Sequence, residues 1–512
     1  MARLLLRAAK SPWVPVPAES VLAQNVIATN IGNLLFGQSM FRALSVEGTE
    51  VVPNSYNSGR RGIDDRYIQK INDEFDAFVV PLANAFRPSF RQNLQRLTRV
   101  IGQLDMPVTV VGVGSQHSLD GDDAADSELD HDVQAFMKVV LDRSASVGVR
   151  GEETSAYLKR LGFGEEHVDV IGCPSVFMNG PSPTVRALDT TLTEGSSLAM
   201  SASPETDVMV PIIQSHAQRF KRFRYIPQNS KDLNSMVWGG PASPDTSISV
   251  LSNPDSSLHL DDQIRFPLDP NTWVNYLSDF DFVVGTRIHG TVAGILSGTP
   301  TLLVAHDSRT RELADYHEIP YLPLGQLTSK TRAEDVYQYA DYRKFHDRQA
   351  ETFEQFTGFL EKNNLPHIYA PGQRANDFDE KLGAADLPPM VHPVLAAGEG
   401  GRREVISRLW WLRQGKIVDG ERLAYAFRPE VPHSKKPEVT VRQVDARLTK
   451  EVKLLKVELA KSHEVATETR KQLAKTQKTV ATQAKAIRRL DVPIPTRAKR
   501  YAKRFLKRLG RG

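Results

Sequence analysis

At 512 residues the chain exceeds what one compact core supports, so two or three domains are expected. Hydrophobic residues make up 40% and charged residues 25%, which excludes a disordered chain, and a net charge of +4 excludes a strong overall field. The single cysteine, Cys173, excludes an intramolecular disulfide and points to the cytosol, and no apolar run nears the ~20 residues of a membrane span.

In chain order, residues 1–19 read as a variable lead-in. Their three leucines, Leu4-Leu5-Leu6, are too few for a signal peptide, and Pro12, Pro15 and Pro17 follow. An N-terminal Rossmann-like domain is expected over 20–180. Asn30-Ile31-Gly32-Asn33 opens a helical pattern through Leu44, with Asn30 or Asn33 as its cap. At the first helix of an open α/β sheet the same residues also reach a ligand, which makes Asn30 and Gly32 candidate contacts. Strands are predicted at 75–80 and 108–114, with a helix over 89–104 between them. The second strand runs into Ser115-Gln116, which makes Gln116 a further candidate.

The run 120–132 holds six aspartates and a glutamate, and reads as a solvated loop. Its spacing matches no regular set of metal ligands, so no metal is expected. A helix near 133–143 precedes a short strand, 145–149. Arg150 stands where that strand ends and a helix over 152–161 begins. Cys173, delivered by the strand-like run 168–172, reads as a small buried residue. The Pro/Ser/Thr-rich stretch 181–194 reads as an interdomain linker.

A C-terminal Rossmann-like domain is expected over 195–325. Strands at 196–201 and 225–226 and helices at 207–219 and 269–280 lead to Phe282-Val283-Val284-Gly285-Thr286-Arg287-Ile288-His289-Gly290. An apolar run ends at a glycine; an arginine and a histidine follow, two residues apart; then come a small-residue helix and a second apolar run, 299–305. This is a strand–turn–helix–strand unit, and ligands bind at the turn after the first strand. The glycine permits close backbone approach and the helix start favours anions. The plain alternative is that Arg287 and His289 are solvated loop residues. Arg309 occupies a similar strand-end loop after residue 305. Closing helices are expected over 326–373, and 374–440 reads as a linker with local packing around Leu409-Trp410-Trp411-Leu412.

Over 441–490 apolar residues recur every seven positions (Val452, Leu459, Ala466, Leu473, Val480, Ile487), although several complementary positions are polar. This pattern suits a coiled-coil-like helix for homo-oligomerisation, with a solvated single helix as its rival. The tail, within 491–512, carries eight Lys/Arg and no acid over 496–512. Tyr501, Phe505 and Leu509 share one helical face, which suits an anionic membrane surface better than nucleic acid, and no nucleic-acid partner is expected.

Several stretches in this order resemble the polysaccharide pyruvyl transferase family over roughly 24–325. They are Asn30-Ile31-Gly32-Asn33, Ser146-Val147-Gly148-Val149-Arg150-Gly151-Glu152-Glu153-Thr154-Ser155, and Gly285-Thr286-Arg287-Ile288-His289-Gly290 with Gly298-Thr299-Pro300. The resemblance implies an α/β fold of two Rossmann-like domains facing across a cleft, like the GT-B glycosyltransferases. It implies transfer of the pyruvyl group of phosphoenolpyruvate, as donor substrate and without a cofactor, to a sugar diol. The acceptor would be a glycan or lipid-linked saccharide of the cell envelope, met in the cytoplasm at the inner face of the plasma membrane. His289 would be the general acid, and Arg150 and Arg287 would hold the donor. Arginine's rigid fork suits both of the donor's anionic groups, and histidine delivers protons near neutral pH. Two other readings use the same features: a glycosyltransferase with a nucleotide sugar, and a non-catalytic scaffold recruited to membranes by its tail.

Overall fold

The computed structural model describes residues 1–60, 62–116, 127–188, 191–240, 247–407 and 409, and helical stretches at 471–472, 474–483 and 500–504. The chain divides into two units, Met1–Glu430 and Val431–Gly512. The rest of the expected 441–490 helix, with most of its heptad seam, and the rest of the basic tail lie outside the described residues. Among the described residues, no helix is long and apolar enough to cross a membrane.

Residues 1–19 are not a lead-in. Ala2–Leu6 form β1, which pairs in parallel with both β2 (Thr49–Pro53) and β3 (Ala77–Pro81). Three consecutive leucines match a strand covered on both faces, and Leu4, Leu5 and Leu6 are at most 2% exposed. The N-terminal half therefore begins at residue 2 rather than 20. Its sheet runs β2-β1-β3-β4, with β4 at Val108–Val111. A Val113–Val149 bridge continues it to the parallel pair β5 (Val147–Val149) and β6 (Val168–Val170).

The acidic run is helical in its described part. The helix Ser127–Leu141 starts ahead of the expected position because the apolar stripe begins at Leu129 and continues through Val133, Phe136, Met137 and Val140. Asp130 accepts from the Tyr157 hydroxyl at 2.8 Å, and Asp132 takes Arg91 Nε at 2.7 Å, so both acids brace the helix against its neighbours.

The C-terminal half is a parallel five-stranded sheet, ordered β11-β10-β9-β7-β8. Its strands are β7 (Ser197–Ser201), β8 (Arg222–Tyr225), β9 (Phe282–Gly285), β10 (Thr301–Ala305) and β11 (Tyr321–Pro323). The long helix Arg343–Lys362 ties the halves together. Before it, the Tyr342 hydroxyl donates to Thr301 O at 2.9 Å in the C-terminal half. After it, Asn363 Oδ1 accepts from Ala145 and Ser146 N in the N-terminal half, at 3.1 and 3.2 Å.

The stretch expected to be a linker from 374 is instead packed on this body through its first 30 or so residues. Ala375 bridges Val46, Phe378 is 2% exposed beside Trp13 and Phe41, and Val391 pairs with Phe266. Irregular backbone of this kind has no periodicity to betray it; it is held by single side chains and isolated bridges.

Candidate active site

β9 delivers the turn 285–290 against the end of β7. A Cβ on Gly285 would run into the carbonyl oxygen of Ser201, and one on Gly290 would meet the Gln228 amide, so both glycines are fixed by close approach. Thr286 Oγ1 accepts from Ser203 N at 2.6 Å, and Arg287 Nε donates to Ala202 O at 3.2 Å. His289 is the second residue of the helix Ile288–Leu296. Its ring packs on Gly32, where a Cβ would overlap the imidazole. Gly32 is therefore a positioning residue that makes room for His289. Asn30 lines the cavity, but its amide is used structurally: Oδ1 accepts from Gly32 N at 2.8 Å and Nδ2 donates to Asn229 Oδ1 at 3.4 Å.

Across from this turn, β5 ends at Val149 and Arg150 follows, 1% exposed. Its Nε donates to Gly112 O at 3.1 Å, and its side chain crosses Gly114, where a Cβ would crowd it. Thr154 donates its backbone N–H (2.6 Å) and hydroxyl (3.1 Å) to Glu312 of the other half, which clips the two arginine-bearing elements together. Burial pushes the Glu312 carboxyl up to about 7, against the pull of the Thr154 hydrogen bonds and Arg150.

Between the halves lies a cavity of about 280 Å³ lined by five arginines: Arg7, Arg87, Arg150, Arg287 and Arg309. Arg7 follows β1, Arg87 lies beyond β3, Arg150 follows β5, Arg287 lies just past β9 and Arg309 just past β10, so every one comes from the carboxyl end of a strand. Arg309 is paired with Asp307 at 2.8 Å; the other four have no carboxylate within ion-pair distance among the described residues. Arg150 Nη2, Arg287 Nη2, Arg309 Nε, Arg7 Nε and His289 Nε2 are buried without a hydrogen-bond partner there. Uncompensated buried cations are costly, and an anion placed among them would offset that cost. The Asn84 side-chain oxygen, turned to face its donors, accepts from Arg87 Nη1 at 3.0 Å and Arg309 Nη1 at 3.1 Å.

Burial lowers the pKa values of Arg7, Arg87, Arg150 and Arg287. Arg87 falls to about 10 by burial and by the nearby Arg309 and Arg150. His289 falls to about 3, first by burial and then by Arg150, Arg309 and Arg287, so its imidazole is neutral in the ligand-free site. His317, buried with Nε2 accepting from Cys173 N at 3.0 Å, is likewise lowered to about 3 by burial and Arg348. Because both folded values lie below the ordinary ~6.5, the unfolded chain binds more protons as pH falls, and stability present above pH 6.5 is lost progressively toward pH 3. We expect each histidine to cost about 2 kcal/mol by pH 5. Denaturant melts of wild type and His289→Asn between pH 5 and 7.5 check this: the variant should lose visibly less.

The structure brings Asn30, Arg150, Arg287, His289 and Arg309 of the candidates to one cavity, with Gly32 directly beneath His289. Gln116 is exposed and outside it; its amide meets that of Asn84, which does line the wall, at 2.7 Å. Sequence reasoning missed Arg7, Tyr56, Asn84, Arg87 and Gln228, which also line the wall. Arg7 had a signal, an arginine directly after an apolar run, and Arg87 follows the 75–80 strand; Tyr56 had none. Among the described residues no three His, Cys, Asp or Glu side chains form a metal-binding group. A Gly32→Ala protein should fold yet lose about tenfold or more in turnover, because the new methyl displaces the His289 ring; a steady-state assay beside a melting curve checks it.

The profile of the polysaccharide pyruvyl transferase family matches residues 30–308, more than half of the chain. No curated protein matches. Solved structures that it resembles include S. aureus MnaA with UDP (11% identity, 72% of this chain and 98% of that one, TM-score 0.38). Another is the Methanocaldococcus jannaschii UDP-GlcNAc 2-epimerase with UDP-GlcNAc and UDP (9% identity, 70% and 99%, TM-score 0.40). The matched stretch carries Arg150, Arg287 and His289, and the chain belongs to the polysaccharide pyruvyl transferase family.

Proposed function

We propose that this chain transfers the pyruvyl group of phosphoenolpyruvate to a sugar diol, forming a cyclic ketal and releasing phosphate. The observation that supports this most is a neutral histidine set among buried arginines, of which Arg150 and Arg287 have no carboxylate within ion-pair distance among the described residues. Phosphoenolpyruvate carries its carboxylate and phosphate on the same carbon, so a compact arginine cluster can hold both by charge-assisted hydrogen bonds. Arg150 and Arg287 approach from opposite halves, and Arg309 and Arg87 add to the same pole.

Bringing in this anion offsets the arginine field that depresses His289, so the imidazole gains a proton as the donor binds. It then protonates the methylene carbon of the enol. The adjacent carbon becomes an oxocarbenium-like centre, which the first sugar hydroxyl attacks with loss of its proton. Phosphate departs with the C–O bonding pair, neutralised by the arginines, and the second hydroxyl closes the ketal with loss of its proton.

Equilibrium binding tests the donor. Phosphoenolpyruvate should bind to the ligand-free protein and take up protons at pH 7–8. Tight binding of a UDP-sugar with none of phosphoenolpyruvate would favour the glycosyltransferase reading instead.

The basic tail 496–512 is proposed to bring the enzyme to anionic membrane, where lipid-linked acceptors reside. Residues 375–404 pack on the body, so the truncation that tests this is placed beyond them. A chain ending at Glu430 should lose binding to anionic vesicles in a co-sedimentation assay and keep its turnover on a soluble acceptor.

A further inference from the structure

Four of the five cavity arginines form one electrostatic group. Arg150, Arg309 and Arg287 act on His289, and Arg87 is held with Arg309 and Arg150. Arg7 stands apart: among the described residues, the titratable neighbour that acts on it is Tyr56. Its guanidinium lies over the Tyr56 ring, 5.1 Å from the centroid, with Nη1 donating to Pro81 O at 3.1 Å and Nε buried without a partner among the described residues. Burial, against the opposing pull of Arg7 and Arg60, pushes the Tyr56 hydroxyl up to about 12, so the phenol stays neutral and leaves the Arg7 charge unbalanced.

The ring is fixed with some effort. Ser55 and Tyr56 are consecutive left-handed residues, at φ 51° and 56°, and neither is glycine. Asn54 Oδ1 accepts from Tyr56 N at 3.0 Å, and Ser55 Oγ donates to Ala9 O at 2.9 Å. Strained backbone held this way clusters where a ligand is gripped. The Tyr56 hydroxyl reaches Asn33 O at 3.4 Å, beside the Gly32 that seats His289. The Arg7–Tyr56 end is thus joined to the reacting end by one helix turn.

A donor whose two anionic groups share one carbon fills one pole and leaves Arg7 unanswered. We propose that Arg7 and Tyr56 form an acceptor subsite, with the ring backing the guanidinium and the guanidinium binding an anionic substituent, phosphate or carboxylate, carried by the acceptor. This rests on the pyruvyl-transfer reading for the identity of the other ligand. It predicts that the true acceptor is an anionic glycan or glycan phosphate, and that neutral analogues are poor substrates.

Equilibrium dialysis of the full chain tests it, with saturating phosphoenolpyruvate and labelled inorganic phosphate or acetate as probe. Wild type should bind one further anion, and the arm that binds tells phosphate from carboxylate. Arg7→Gln should weaken that second event by at least about tenfold, with Arg7→Lys restoring part of it. Donor binding should be unchanged in both. No second anion in wild type, or one that persists in Arg7→Gln, overturns the subsite; the wild-type stoichiometry decides even if Arg7→Gln does not fold. Failure of phosphoenolpyruvate to bind at all, with an Arg7-dependent anion still present, sinks the donor assignment and leaves the subsite standing.

Discussion

Exchanging His289 for glutamine lowers kcat for ketal formation by about two to four orders of magnitude, the span that a positioned general acid supplies. Glutamine fits the space above Gly32 and keeps a hydrogen-bond donor, but carries no transferable proton. The ligand-free charge of the cavity hardly changes, because His289 is already neutral there, held at about 3 by burial and three arginines. The fold should therefore survive, and donor affinity at pH 8 should move by no more than a few-fold. The signature lies in pH dependence. On the proposed mechanism the bound state takes up a proton on His289, so donor binding in wild type should tighten as pH falls, and His289→Gln should lose that proton uptake. Calorimetry in buffers of different ionisation enthalpy counts the proton directly. A variant of wild-type turnover would remove His289 from the chemistry.

Arg150→Gln separates activity from stability in the opposite sense to most core substitutions. The side chain is 1% exposed and has no carboxylate partner within ion-pair distance among the described residues. Losing a charge-assisted contact to the donor should raise KM for phosphoenolpyruvate by roughly 10- to 100-fold. Yet burying that guanidinium costs the ligand-free protein, so its removal should leave the melting temperature equal or higher, despite the lost bond to Gly112 O. After burial, Arg150 is the strongest influence depressing His289, so the stability lost between pH 6.5 and pH 5 should be smaller in Arg150→Gln than in wild type. Steady-state kinetics and thermal melts on one preparation check both halves. A sharply destabilised Arg150→Gln would mean that the residue is structural.

What could be seen in advance was local. The turn 285–290 announces itself because strand, glycine, polar pair and helix lie within ten residues, and Arg150 follows the same grammar. The rest of the cavity is assembled by topology. Arg7 reaches it because β1 is a central strand of the first sheet, and three leucines without a preceding element do not declare that. Tyr56 depends on a left-handed turn that its residue types do not demand. Gln116 sits near a strand end like the lining residues, but it is exposed and only its partner Asn84 lines the cavity. The 375–404 stretch lacks any period, and its docking on Val46, Trp13 and Phe266 arises from contacts far apart in sequence.

The most direct test of the central claim is incubation of the full chain with phosphoenolpyruvate and a panel of anionic, lipid-linked and neutral glycans. Phosphate release and glycan mass are read together. Glycan-dependent release, matched by gain of one pyruvyl ketal and abolished in His289→Gln, is the predicted result. Phosphate release that needs no glycan, or a glycan that gains a sugar from a UDP-sugar and nothing from phosphoenolpyruvate, would contradict it.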